Sequence, residues 1–196
     1  MCGIVAYIGP RNAAEVVLAG LQRLEYRGYD SAGLAVATTA GIERRRSVGK
    51  IANLAQLVAQ DPLSGHLGMG HTRWATHGRV SEANAHPHTD AEGLIVVIHN
   101  GIVENYASLK ERLAADGVRL SSQTDTEVIA HLIAQGYAGG AIPLAEAVRL
   151  ALLQLKGPSA IVVLSALEPD RLVAARLGNA GGIVVGLGEG EMLVAS

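Results

Sequence analysis

The sequence predicts a layered α+β domain built on mainly antiparallel sheets. Three observations carry that prediction. The 196 residues amount to about one domain at roughly 150 residues each, and no internal repeat or low-complexity linker divides them. Short apolar runs are bounded by the 24 glycines, as strands ended by turns are. Strand runs are interspersed with pairs of helical patterns, which favours segregated layers over the strict strand–helix alternation of a parallel sheet. The core is ample. Apolar residues make up 49% of the chain and charged residues only 17%, against a usual share of about 25% charged, which excludes disorder.

The elements follow in order. Ile4–Ile8 reads as a short buried strand closed by Gly9-Pro10. Asn12 and Glu15 have capping-box spacing, and Val17, Leu21 and Leu24 recur at helical spacing up to Arg27-Gly28. Gly33–Thr38 and Ile42–Ser47 read as strands joined at Gly41, and Ile51, Leu54, Leu57 and Val58 mark a helix closed by Asp61-Pro62. Leu67–Trp74 is strand-like. The polar stretch Ala75–Glu92 has no periodicity and reads as one long loop, a feature that in compact domains usually serves function. Leu94–His99 is an apolar strand, and Tyr106–Ala115 and Glu127–Gln135 are helices, the second capped by Thr124 with Glu127. Glu146–Leu155 is a further helix, followed by strands at Ala160–Leu164, Arg171–Leu177, Ile183–Leu187 and Glu191–Val194.

Charge and composition remove several function classes. The formal net charge is −2, so no electrostatic footprint for nucleic acid or an anionic membrane is present. With one Trp and no Phe, base-stacking platforms are not expected either. Apolar runs fall far short of the ~18 residues of a membrane span, and the first residues lack signal-peptide organisation. The lone cysteine excludes an internal disulfide and a multi-cysteine zinc site, and a reducing cytoplasm fits. The histidine spacings, including His86-Pro87-His88, match no common zinc pattern. No Gly-x-Ser-x-Gly elbow and no phosphate-binding glycine loop is present. Neither metal nor cofactor is therefore expected.

The lone cysteine is informative because of its position. Cys2 is either a small residue entering the first strand or, once Met1 is removed, an N-terminal nucleophile. In the second case the α-amine, of pKa about 7.7–8.0 beside a thiol of about 8.5, serves as the built-in general base. At the end of the apolar strand, Asn100 and Gly101 read either as an Asn-Gly turn or as two donors for an oxyanion hole. Arg73 is either a surface arginine or a fork for a carboxylate. Asp125 reads as a residue of the first turn of a helix, where the macrodipole favours an anion.

The segments CGIVAYIG, YRGYDSAG (Tyr26–Gly33), HTRWATHG (His71–Gly78), NAHPH (Asn84–His88), HNGIVENY (His99–Tyr106) and SQTDTEVIAHLI (Ser122–Ile133) occur in that order. Together they resemble the glutaminase domains of glucosamine-6-phosphate synthases, class II glutamine amidotransferases among the N-terminal nucleophile hydrolases. The resemblance runs from Cys2 to Ser196. It implies a four-layer αββα sandwich and hydrolysis of L-glutamine to glutamate and ammonia through a thioester on Cys2. It also implies Asn100 and Gly101 as the oxyanion hole, and Arg27 as the residue that holds the N-terminal residue in place. Arg73 and Asp125 would take the α-carboxylate and α-ammonium of glutamine, and Trp74, Thr76 and His77 would line its pocket.

Such enzymes carry a second, sugar-isomerase half that binds fructose 6-phosphate, and nothing in this sequence corresponds to it. The chain is therefore expected to be one glutaminase domain, incomplete at its C-terminus, of an enzyme that is homodimeric when complete. Two other readings compete: the glutaminase module of a different class II amidotransferase, and a non-catalytic glutamine-binding remnant.

Overall fold

The computed structural model of the protein describes residues 2–75 and 78–196. The chain runs β1 (Gly3–Ile8), α1 (Ala13–Leu24), β2 (Ser31–Thr38), β3 (Gly41–Val48), α2 (Ile51–Gln60), β4 (Leu67–Arg73), β5 (His88–Thr89) and β6 (Ile95–Gly101). It continues through α3 (Tyr106–Ala115), α4 (Glu127–Tyr137), α5 (Leu144–Leu152), β7 (Ser159–Ser165), β8 (Leu172–Leu177), β9 (Val184–Gly188) and β10 (Glu191–Ala195). A six-stranded sheet has the order β3-β2-β4-β1-β10-β9 and a four-stranded sheet the order β5-β6-β7-β8. The pairings in both are antiparallel.

The layering follows from strand periodicity. Side chains alternate faces along a strand, and both sheets are apolar on both faces. In β1, Val5 and Tyr7 pack under α1 and α2 with Val17, Leu21 and Leu54. Ile4 and Ala6 face the other way and meet Val96 and Ile98 of the opposite sheet. In β6, Ile95 and Val97 turn outward to α3, α4 and α5, against Leu113, Ile129 and Ala147. Three apolar layers thus separate helices, sheet, sheet and helices, the αββα order.

Local chemistry sets the element ends, with some differences from expectation. Asn12 caps α1 by accepting from the Ala14 N–H at 3.0 Å, half of the expected capping box. The expected loop Ala75–Glu92 contains a short 3-10 turn at Glu82–Asn84 and strand β5, pairings too short to leave a periodic signal. The expected cap of α4 is a correction: the capping residue is Thr126, with no side-chain bond to the helix. Thr124 instead meets His88 Nε2 at 3.0 Å. Glu127, the first helical residue, reaches back to the N–H groups of Ser121 and Ser122 at 2.7 and 2.6 Å. Asp125 accordingly lies just before the helix and not within its first turn.

Candidate functional site

The nucleophile candidate is placed by sheet register. Gly3 of β1 lies opposite Thr72 of β4, and the Gly3 N–H donates to Thr72 Oγ1 at 3.1 Å. Cys2, one residue earlier, therefore emerges beside the end of β4. There the Trp74 N–H donates to Cys2 Sγ at 3.2 Å. Asp30 fixes this backbone: its N–H donates to the Arg73 carbonyl at 3.1 Å, and its carboxylate accepts from the Ala75 N–H at 2.7 Å. Gly28 permits the approach, since a Cβ there would stand 2.8 Å from the Arg73 carbonyl carbon. Burial raises the Cys2 thiol pKa, opposed by the Trp74 N–H and by the charges of Arg73 and Arg27.

Cys2, Arg73, Trp74, Gly101 and Asp125 line one cleft. The structure thus brings together five of the residues singled out from the sequence. The cavity is small, about 40 Å³, room for roughly three waters at 10–15 Å³ each. Arg73 is buried, and its guanidinium lies 3.4 and 3.5 Å from the carbonyls of Gly78 and Arg79. Burial lowers its pKa against the opposing pull of Cys2, Asp30 and Asp125. Asp125 is held by the Val103 N–H, which donates to Oδ2 at 2.7 Å. The cleft offers one cation and one anion, the complement of an amino acid's two backbone charges.

Asn100 stands behind the cleft. Its Nδ2 donates to the Cys2 carbonyl at 3.2 Å and lies 3.3 Å from Ser196 Oγ, while Oδ1 faces His71 Nε2 at 3.0 Å. Gly101 has to be glycine: its φ is +146°, and a Cβ would fall 2.1 Å from the Pro158 carbonyl oxygen. Among the described residues, Arg27 is linked to the Cys2 segment through Ser196. Its guanidinium donates to the Ser196 carbonyl, and Ser196 Oγ accepts from the Ile4 N–H at 3.0 Å. Thr76 and His77, expected in the pocket, lie outside the described residues, as does Met1.

A group of buried histidines, weighed from the sequence only as metal ligands, surrounds the cleft. The rings of His71 and His86 stack at 4.2 Å with planes 14° apart, and His88 meets His86 edge-on at 4.7 Å. His99 lies between Thr126 Oγ1 at 3.0 Å and Ser159 Oγ at 3.2 Å. Burial drives all four down: His71 and His88 to about 3, His99 to about 4, and His86 well below its usual value. They are neutral at physiological pH. One signal was available, since alternation along β4 puts His71 on the same face as Arg73. Glu127 is the buried anion nearby. Burial pushes its pKa up, but the His131 ring 3.7 Å away and hydrogen bonds from Ser122 and Ser121 outweigh that and hold it below the usual carboxylate range.

The chain is similar to known glutamine amidotransferases. A family profile described as a glutamine amidotransferase domain matches residues 59–142. A glutamine–fructose-6-phosphate aminotransferase (isomerizing) of Thermus thermophilus is 55% identical over all 196 residues, which span 32% of that protein. The Streptomyces coelicolor enzyme of the same name is 51% identical, again over the whole chain and 32% of the relative. The chain therefore spans about a third of the length of these relatives. Among solved structures, the glutamine phosphoribosylpyrophosphate amidotransferase of B. subtilis matches 99% of this chain and 41% of its own. Its TM-score is 0.84 at 26% identity. A glutamine aminotransferase class-II domain protein from Silicibacter pomeroyi, 18% identical with a TM-score of 0.61, shares the fold over 99% of this chain and 88% of its own.

Proposed function

Since the chain belongs with the glutamine amidotransferase domains, of the N-terminal nucleophile fold, we propose that it hydrolyses the side-chain amide of L-glutamine to glutamate and ammonia. The observation that carries this is the convergence of Cys2, Arg73, Asp125 and Gly101 on one cleft. Once Met1 is gone, the Cys2 α-amine takes the thiol proton and the thiolate attacks the amide carbon. The Trp74 N–H, 3.2 Å from Sγ, favours the thiolate. The Gly101 N–H and the Asn100 amide, whose Nδ2 faces Cys2, take the developing oxyanion. Collapse of the tetrahedral adduct passes the proton from the α-ammonium to the departing nitrogen, so ammonia leaves and a γ-glutamyl thioester remains. Water, deprotonated by the same amine, resolves the thioester to glutamate. Arg73 and Asp125 bind the α-carboxylate and α-ammonium, with Trp74, Thr76 and His77 along the rest of the pocket and Arg27 securing the Ser196 segment behind Cys2.

In the complete enzyme, the ammonia would aminate fructose 6-phosphate to give glucosamine 6-phosphate, the acceptor being bound by a sugar-isomerase half outside this chain. That enzyme would be a cytoplasmic homodimer needing no cofactor for the glutaminase step. Among the described residues, no helix is long and apolar enough to cross a membrane. Quenching with acid during glutamine turnover and analysing the N-terminal peptide by mass spectrometry is the test. A γ-glutamyl adduct on Cys2, with Met1 absent, is expected, and Cys2→Ala should abolish both adduct and turnover. Active protein that retains Met1 would overturn the α-amine as base.

A further inference from the structure

The atoms around Asn100 fix the protonation of a neighbouring residue that the reaction above does not use. The Cys2 carbonyl oxygen can only accept a hydrogen bond, so the Asn100 atom 3.2 Å from it is the amide nitrogen. The atom facing His71 is then Oδ1, which carries no proton. His71 Nε2, 3.0 Å away, must therefore bear the ring hydrogen. The opposite tautomer would turn the carboxamide over and set two acceptor oxygens against each other at Cys2. The His71 ring is itself held, stacked on His86 at 4.2 Å. His86 Nδ1 accepts from the His99 N–H at 3.3 Å.

We propose that His71 is a positioning residue for the oxyanion donor: its Nε2–H holds Asn100 Oδ1 so that Nδ2 faces Cys2. This rests on the reading of Asn100 as an oxyanion donor, whereas the tautomer follows from geometry alone. Burial keeps His71 neutral, so a single proton decides which way the amide turns. Without that donor the Cys2 carbonyl and Ser196 Oγ alone hold the carboxamide, by its nitrogen, and the nitrogen faces the reacting carbonyl a smaller part of the time. Glutamine binding, which depends on Arg73 and Asp125, is untouched.

The test has two arms. Nitrogen-15 shifts of the His71 ring should report the Nε2–H tautomer, and the Nδ1–H form would overturn the proposal. His71→Phe keeps an aromatic ring on His86 and removes the donor. It should lower kcat for glutamine about tenfold, the scale of one lost hydrogen bond, with KM within about twofold. His71→Gln, whose amide nitrogen stands where Nε2 was, should recover most of that loss. In an Asn100→Ala background, His71→Phe should cost nothing further. A loss expressed in KM, equal losses for Phe and Gln, or an undiminished cost in the Asn100→Ala background would each overturn the positioning role. A wild-type protein without glutaminase activity would instead overturn the function proposed above, and the tautomer would still decide the orientation of Asn100.

Discussion

The two halves of β6 share one backbone ladder and little else. Ile95, Val96, Val97 and Ile98 are fully buried and apolar, alternating between the helices and the opposite sheet. His99, Asn100 and Gly101 continue the same pairing with β7, opposite Ile161, Ala160 and Ser159. There the side chains are tied to particular partners: Thr126 and Ser159 for His99, and Cys2, Ser196 and His71 for Asn100. Apolar burial is non-directional and tolerates small shifts. A buried polar atom left without its partner costs about 1–3 kcal/mol. The ladder therefore lets one strand serve as rigid core at one end and hold individually partnered polar groups at the other, and the second end is the fragile one.

Acid should expose that fragility most. His71, His88 and His99 have folded pKa values of about 3, 3 and 4, against about 6.5 unfolded. Between those values the unfolded chain binds more protons. The stabilisation is thus present above about pH 6.5 and is lost as pH falls towards 4 and 3. Each histidine contributes up to about 1.4 kcal/mol per pH unit. Acting in the same direction, they erode a substantial part of the roughly 5–15 kcal/mol of a whole domain. Circular dichroism against pH should show cooperative loss of structure between about pH 5.5 and 4. A native spectrum at pH 3.5 would mean that the polar half is no weaker than the apolar one.

Gly101→Ala should be the most damaging single substitution at the polar end. The left-handed φ costs about 1–3 kcal/mol for a side chain, and the overlap with the Pro158 carbonyl adds a similar overpacking cost. The sum is about 4 kcal/mol, read as a fall in the urea midpoint. The same substitution at Gly93, where φ is +71° and nothing lies within 4 Å of the added Cβ, carries the backbone term alone. Equal effects at both positions would remove the argument that crowding by Pro158 demands glycine.

Under the proposed function, Asn100 at the polar end of β6 and Arg73 at the end of β4 take transition-state and ground-state roles. Asn100→Ala should lower kcat by about 10²–10³, or roughly 2.7–4 kcal/mol, with KM little changed. Arg73→Ala should mainly raise KM, because the carboxylate is bound before and during reaction. Steady-state kinetics that exchanged these two phenotypes would reverse the assignments.

The apolar half was the legible half. Short continuous apolar runs and glycine boundaries located β1, β2, β6 and β7 to within a residue or two, because a strand buried on both faces is apolar along its own length. The polar end depends on meetings between distant segments. Nothing local places Ser196 against Ile4, Arg27 and Asn100, or stacks His71 on His86. Asp125 was found as a residue but put one element too late, since its holding bond comes from the Val103 N–H and not from its own helix. Glu127 looked like half of a capping box, yet its oxygens organise the preceding turn at Ser121 and Ser122. Short polar side chains adjacent to a helix start have several backbone partners in reach, and only the packed structure selects one.

The smallest effect is expected at a third kind of strand. In β9 all five residues are exposed, and among the described residues it pairs only with β10 at the margin of the six-stranded sheet. Leu187 is 79% exposed, opposite Met192 in register. A side chain that gains no burial on folding has no transfer energy to lose, so Leu187→Lys should change stability by less than about 0.5 kcal/mol. The same strand presents Val184 and Val185 to solvent, an unpaired apolar edge of the kind that templates association. The charge should therefore reduce self-association in light scattering while the urea midpoint stays put. If the substitution costs more than about 1 kcal/mol, Leu187 is covered in solution, and β9 belongs with the apolar half of β6 and not with the surface.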